Sequence, residues 1–217
     1  MKLIYLLLMC IFQTCLSQSK TVLYKINIDS TGRKDKQSTF KDIPTFIKAI
    51  YLPDTKYNVP GQLPIKYYKC RDEMECLLTP KYFEVTGYID NNQEFWAHPP
   101  RDGDYIKQME FLPFPNIKYG KEKWKSDLEI SSLYFADKRW AVWDGDIKLH
   151  NTYKVINKNS IIKINDVEFI CTEIKAKMNS KIGNTEVIFY FKDNLLVKAI
   201  YNLLNGDKLE MILNNGR

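Results

Sequence analysis

Apolar and polar residues alternate through four consecutive segments near the C-terminus, and short polar turns separate these segments. They are Val167–Met178, Asn184–Lys192, Leu195–Leu204 and Lys208–Leu213. Alternation with a period of two is typical of strands, so the pattern predicts a four-stranded antiparallel meander. The last turn contains Asn205-Gly206, a pair that tolerates positive φ at both central positions of a two-residue hairpin turn.

The preceding residues are also predicted to form mostly short strands, with turns about every 8–12 residues. The predicted strands are Thr21–Ile28, Ile65–Cys70, Tyr82–Ile89, Gln93–Ala97, Tyr105–Phe111, Leu128–Phe135, Trp140–Trp143, His150–Ile156 and Ser160–Ile164. A short helix is predicted at Thr45–Tyr51, where apolar residues recur at helical spacing after Pro44. The sequence therefore predicts a mainly β fold, an antiparallel curved sheet or half-open barrel with at most one or two short helices.

The first residues have the pattern of an export signal. Lys2 precedes an apolar run from Leu3 to Phe12, and small residues follow at Cys15 and Ser17. The run is too short to span a bilayer, which needs roughly 20 apolar residues. We expect residues 1–17 to be a signal peptide and residues 18–217 to form a single β-rich domain, exported to the periplasm or beyond the cell. In the alternative, Cys15 is lipidated and anchors the protein.

Export affects how the charges and cysteines are interpreted. The full sequence has 32 Lys and Arg residues and 26 Asp and Glu residues. Removing residues 1–17 takes away one lysine and no acidic residue, which leaves a net charge of +5. An oxidising compartment favours a disulfide between Cys70 and Cys76, which enclose a charged segment. Cys171 lies in a predicted strand, where we expect a buried free thiol.

Candidate catalytic and metal-binding groups are few. His98 and His150 are the only histidines. A hydrolase that pairs His98 with Asp102 or Asp104 is one hypothesis, but no nucleophile motif accompanies it and a packed histidine is favoured. A zinc site needs three or four ligands, and the two Asp-Gly-Asp runs lack the further acids of a calcium loop. We expect no metal, no cofactor and, on balance, no enzymatic activity.

The sequence offers two candidate binding regions. The basic segment around Lys118–Lys125 carries surface candidates for an anionic partner: Lys121, Lys123, Trp124 and Lys125. The alternative is a solvated loop anchored by its tryptophan, and export argues against a nucleic-acid partner. The meander strands have apolar residues on both faces, which indicates a covered or ligand-binding concave face. Its candidate lining residues are Trp96, Tyr105, Phe189, Phe191 and Tyr201.

Three stretches carry a resemblance to known proteins. Leu16-Ser17-Gln18 and the Phe95–Arg101 segment, with Phe114-Pro115 downstream, resemble secreted proteins of the Bacteroidetes. The meander, with its Gly183-Asn184-Thr185 turn into an aromatic strand, is similar to half-barrel proteins of the lipoprotein-carrier (LolA-like) fold. This resemblance covers the C-terminal third and implies a curved sheet with an apolar concave face. It transfers no catalytic residues.

Together these patterns predict an exported, non-enzymatic binding or envelope-associated protein that holds an apolar or amphipathic, lipid-like ligand. The first alternative is a structural or protein-interaction module with a filled core, in which the aromatic residues only pack. The second alternative is the hydrolase that uses His98.

Overall fold

The computed structural model describes residues 19–33, 44–78, 80–101, 106–131 and 145–214. Within these ranges the chain forms thirteen strands, one α-helix (α1, Glu73–Leu78) and one 3-10 helix (Ile106–Phe111). The strands are β1 Lys20–Asp29, β2 Phe46–Tyr51, β3 Leu63–Cys70, β4 Lys81–Asp90, β5 Glu94–Ala97, β6 Asn116–Lys118, β7 Lys123–Lys125, β8 Leu128–Ser131, β9 Asp146–Ile164, β10 Val167–Ser180, β11 Gly183–Lys192, β12 Leu195–Asn202 and β13 Lys208–Leu213.

Two antiparallel meanders make up most of the sheet. The first runs from β1 to β6 and the second from β9 to β13, and β1 pairs with β13 to join them. β9 is the last strand of the second meander, and β7 and β8 pair with different parts of its outer edge. The prediction of a mainly β, antiparallel, curved fold is confirmed.

The connection between β6 and β7 draws the two ends of this sheet together. β6 ends at Lys118 and β7 begins at Lys123, although the two strands lie at opposite ends of the strand order. Five residue steps span at most about 17 Å, so the sheet curls into a nearly closed barrel. A buried hydrogen bond reinforces the approach, since the Tyr153 hydroxyl donates to the Phe114 carbonyl at 3.0 Å.

Inward-facing aromatic side chains fill the barrel. Along β11, alternate residues Val187, Phe189 and Phe191 are buried. The Phe189 ring lies 6.1 Å from that of Phe191 and 5.9 Å from that of Tyr201. Such offset and edge contacts add about 0.5–1.5 kcal/mol per pair to the free energy gained by burial.

The C-terminal meander agrees with its prediction to within a few residues, but one turn differs. Asn205-Gly206 lies inside a five-residue connection, closed by a hydrogen bond from the Leu203 amide to the Asp207 carbonyl at 2.8 Å. The two-residue turn with positive φ at both positions is Asn165 (47°) and Asp166 (64°) between β9 and β10.

The predicted helix at Thr45–Tyr51 is wrong, because residues Phe46–Tyr51 form β2. Ile47, Ala49 and Tyr51 are buried in alternation, with the intervening residues half-buried. Pairing with β1 on one side and β3 on the other outweighs the weak helical spacing of a short apolar run.

Three other element predictions are corrected or lie partly outside the described residues. The predicted strand at Tyr105–Phe111 is a 3-10 helix over Ile106–Phe111, and the two strands predicted over 150–164 are one 19-residue strand, β9. The predicted strand at Trp140–Trp143 lies outside the described residues.

The predicted disulfide is present. Cys70 at the end of β3 is bonded to Cys76 in α1, with Cα atoms 5.4 Å apart. A loop of this size contributes about 2 kcal/mol on the chain-entropy estimate. Cys171 is a buried free cysteine, as expected, and burial raises the pKa of its thiol to about 11.

A buried ion pair fixes the turn between β12 and β13 against the turn that follows β1. The Asp207 side chain is fully buried and accepts hydrogen bonds from Arg33 Nη2 at 2.7 Å and Nε at 3.0 Å. Asn205 Nδ2 donates to the same carboxylate at 3.0 Å. The two turns also meet through Gly32, where a Cβ atom would lie 2.5 Å from the Gly206 carbonyl oxygen.

Replacing Arg33 with Met should lower the free energy of unfolding by about 3 kcal/mol, because it removes the guanidinium that is paired with the buried Asp207 carboxylate. Arg71→Met is the matched control, since the Arg71 side chain is 88% exposed beside Glu75, and it should change stability by less than about 0.5 kcal/mol. Chemical denaturation measures both. Equal effects of the two substitutions would contradict this role for the pair.

Candidate functional site

A cleft of about 380 Å³ lies where the β5–β6 end of the sheet meets β8. Its lining combines aromatic, aliphatic and charged side chains: Gln62, Trp96, His98, Arg101, Glu110, Phe114, Leu128, Glu129 and Ile130. The lining residues therefore come from both sides of the barrel's seam, so the cleft exists only because the sheet nearly closes.

Three rings form the aromatic side of the cleft. Along β5, Phe95 and Ala97 are buried in the core, and Trp96 points to the opposite face because side chains alternate along a strand. The Phe114 ring lies 4.5 Å from the imidazole of His98 and 5.7 Å from the indole of Trp96. Phe114 is fixed in turn by the hydrogen bond from Tyr153 to its carbonyl.

The backbone of His98 is anchored on both sides. Its amide donates to the Gly87 carbonyl at 3.0 Å. Its carbonyl accepts hydrogen bonds from the Tyr67 hydroxyl at 2.9 Å and from Thr86 Oγ1 at 3.3 Å. These contacts hold the imidazole in place without using its ring nitrogens.

The imidazole of His98 is neutral at neutral pH. Burial is the main cause of a pKa lowered to about 4; a hydrogen bond to the Pro99 carbonyl opposes the shift, and the nearby Arg101 guanidinium adds to it. Because the Pro99 carbonyl can only accept, Nδ1 donates in this 2.8 Å bond. His98 therefore contributes a mainly apolar ring surface and one acceptor nitrogen, Nε2.

Charged groups form one rim of the cleft. Arg101 contacts Glu84 with Nε at 3.2 Å and Glu110 with Nη1 at 3.3 Å. Burial raises the pKa of Glu110, although Arg101 acts in the opposite direction. Glu129 of β8 lies across the cleft. The lining thus has two carboxylates and one guanidinium, and that guanidinium is already shared with a third carboxylate.

The aliphatic wall comes from β8. Leu128 and Ile130 are half-buried and pack on a small apolar cluster of Ile147, Leu149 and Met178. The alternation of Leu128 and Ile130 was visible in the sequence, but nothing there indicated that they would lie opposite Trp96. Phe114 was missed as a site residue for the same reason.

The structure separates Trp96 from three of the other predicted ligand-lining residues. Trp96 lies in the cleft, whereas Phe189, Phe191 and Tyr201 are at most 1% exposed and pack within the barrel. Tyr105 lies outside the described residues. The Tyr201 hydroxyl is buried with no hydrogen-bond partner among the described residues.

Of the residues proposed for a hydrolase, the structure describes only His98. Asp102 and Asp104, the proposed partners of His98, lie outside the described residues. Among the described residues that line the cleft there is no serine, threonine or cysteine to act as a nucleophile. The hydrolase stays an untested hypothesis.

The predicted surface candidates separate into two roles. Lys121, Lys123 and Lys125 are exposed. Trp124 is 9% exposed and stacks on Tyr153, with ring centroids 5.2 Å apart and planes at 5°. Trp124 therefore anchors β7 to the core, and the lysines lie on the outer face.

The described ranges lack two further features. No cluster of three or more His, Cys, Asp or Glu side chains there could hold a metal ion. No helix in those same ranges has both the length and the apolar sequence that a membrane span requires.

Comparison with known proteins gives little beyond the geometry. No family model matches the sequence, and no curated protein matches it. The chain is similar to the hypothetical lipoprotein YmcC of Escherichia coli (K12), at 10% identity and a TM-score of 0.37 over 89% of this chain and 86% of that chain. A similarity this low defines neither a family nor a function for this chain, and the LolA-like resemblance stays a prediction.

Acid should destabilise the protein through His98. Because the pKa is about 4 in the folded protein and about 6.5 in the unfolded chain, the unfolded state binds more protons between these values. Stability is therefore lost as the pH falls from about 6.5 to 4, by up to about 3 kcal/mol. His98→Gln should remove this part of the pH dependence of the unfolding free energy, measured by denaturation at several pH values. The exposed control His150→Gln should retain it, and identical profiles for wild type and His98→Gln would refute the assignment.

Proposed function

We propose that this protein is an exported, non-enzymatic binding protein that holds an apolar or amphipathic ligand. The ligand would bind in the cleft between the β5–β6 end of the sheet and β8 (the seam cleft). The observation that carries the proposal is the cluster of Trp96, His98 and Phe114 rings facing the Leu128 and Ile130 side chains. This arrangement offers apolar surface on two sides of a space large enough for a small ligand.

The size and lining of the cleft fit a medium-length hydrocarbon chain or ring. A volume of about 380 Å³ lies within the range of about 300–1,000 Å³ that is usual for ligand pockets. Each methylene buried against such surface contributes about 0.8 kcal/mol.

The charged rim supports an amphipathic ligand and a preference among polar head groups. Arg101 is already paired with two glutamates, so it offers little to an added anion. Glu129 and Glu110 give the lining an excess of negative charge. We infer that a cationic or hydrogen-bond-donating head group is favoured over an anionic one.

The disulfide and the N-terminal sequence support export. A Cys70–Cys76 bond is the form that cysteines take in oxidising compartments. The charged and apolar pattern of residues 1–17 is typical of a leader. Association with the cell envelope is part of the same proposal.

The barrel interior is assigned a scaffold role in this proposal. The Phe189 ring contacts those of Phe191 and Tyr201, and these buried residues belong to the packed core that supports the seam. The interaction-module alternative shares this filled interior, but it has no ligand and binds its partner through a surface on the loops.

Decylamine and decanoate, which share a chain and differ in head-group charge, provide the first test by isothermal titration calorimetry. Decylamine should bind several-fold more tightly than decanoate. Trp96→Ala should weaken its binding roughly tenfold or more, because about 1.5 kcal/mol of apolar contact is lost.

Tyr201→Phe is the matched control for an interior site. It removes only a buried hydroxyl that has no partner among the described residues, so stability and binding should be unchanged or slightly improved. Loss of binding in Tyr201→Phe but not in Trp96→Ala would show that the ligand binds inside the barrel. The absence of binding to either amphiphile would favour the interaction module.

A further inference from the structure

The outer face of β7, β9 and β10 carries five lysines in two adjacent cross-strand rows. One row contains Lys123, Lys154 and Lys175, and the next contains Lys125, Thr152 and Lys177. These side chains border an open groove of about 590 Å³ on the surface of the sheet. The groove is separate from the seam cleft and shares no lining residue with it.

Folding alone does not account for this arrangement. Residues directly opposite on neighbouring strands have Cβ atoms about 4.5–5.5 Å apart, where like charges repel. Lys154 lies opposite Lys123 on one side and opposite Lys175 on the other. In the described part of the chain, the ion pair made by these lysines is that of Lys175 with Glu186 at 2.8 Å. Lys177 lies opposite Glu186 of β11, whereas Lys123, Lys125 and Lys154 have no ion-pair partner among the described residues.

The same hairpin exposes aliphatic side chains. Ile161 and Ile170 lie directly opposite each other in β9 and β10 and are 65% and 63% exposed. Phe169 and Ile164 belong to the core, so the isoleucine pair lies on the solvent side of the hairpin. Ile156, 47% exposed, borders the lysine groove. About 17 Å of strand separates Ile170 from Lys175, a distance comparable to the footprint of a few lipids.

Lysines beside exposed isoleucines match the charged head groups and the apolar acyl chains at the surface of an anionic bilayer. Lysine ammonium groups attract lipid phosphates, and exposed aliphatic side chains gain free energy by leaving water at the interface. An acidic polysaccharide would use the lysines but leave the isoleucine pair exposed. We propose that the outer face of the β9–β10 hairpin, with β7, docks onto an anionic lipid bilayer.

Vesicle sedimentation tests the proposal with protein isolated from its producing cells, so that N-terminal processing is the same in every variant. The probes are phosphatidylcholine vesicles with and without 30% phosphatidylglycerol. Each lysine near an anionic surface contributes about 1 kcal/mol, or roughly fivefold. Lys154→Gln with Lys177→Gln should therefore weaken binding to the anionic vesicles roughly 25-fold. Ile161→Ser with Ile170→Ser should weaken it several-fold.

The matched control replaces Lys25 and Lys56 with Gln, which removes the same charge from exposed positions elsewhere. It should bind within about twofold of wild type, and binding should weaken as salt screens the charges. Equal binding to both vesicle types, or equal loss in the control, would overturn the proposal. Retention on dextran sulfate with no vesicle binding would also overturn it and would identify an acidic glycan as the partner.

Discussion

The four residues between Lys118 and Lys123 impose the main constraint on this structure, because they join strands from opposite ends of the sheet. So short a connection keeps β6 close to β7, and the sheet must curl until its ends almost meet. The hydrogen bond from Tyr153 to the Phe114 carbonyl lies across that approach. The second long-range requirement is the pairing of β1 with β13, which joins two meanders that each need only local contacts.

Near-closure has opposite consequences for the inside and the outside of the sheet. Inside the barrel, near-closure brings aromatic side chains into contact, so that residues such as Phe189 and Tyr201 are fully buried. Their role is therefore structural. Outside, near-closure brings β8 opposite Trp96 and Phe114 and so creates a cleft that neither side could form alone. The same curvature presents the lysines of β7, β9 and β10 on the outer face. Binding chemistry is therefore concentrated at the seam and on the outer face beside it.

Local sequence pattern was sufficient where the alternation of apolar and polar residues is long and clear. The C-terminal meander was predicted to within a few residues, and the Cys70–Cys76 bond followed from spacing and compartment. Prediction failed at Phe46–Tyr51, where a short apolar run fits helical spacing as well as alternation. This segment is a strand that pairs with its sequence neighbours β1 and β3. The cleft could not be predicted either, since the opposition of Ile130 and Trp96 follows from closure and not from any motif.

Photo-crosslinking tests most directly whether ligand binds at the seam. A decylamine carrying a diazirine on its chain would be irradiated with the protein, and the labelled peptides would be identified by mass spectrometry. The structure predicts label at Trp96 or Phe114 on one side and at Leu128 or Ile130 on the other, because these residues line the same cleft. Label concentrated on Phe189, Phe191 and Tyr201 would contradict this account and would place the ligand inside the barrel.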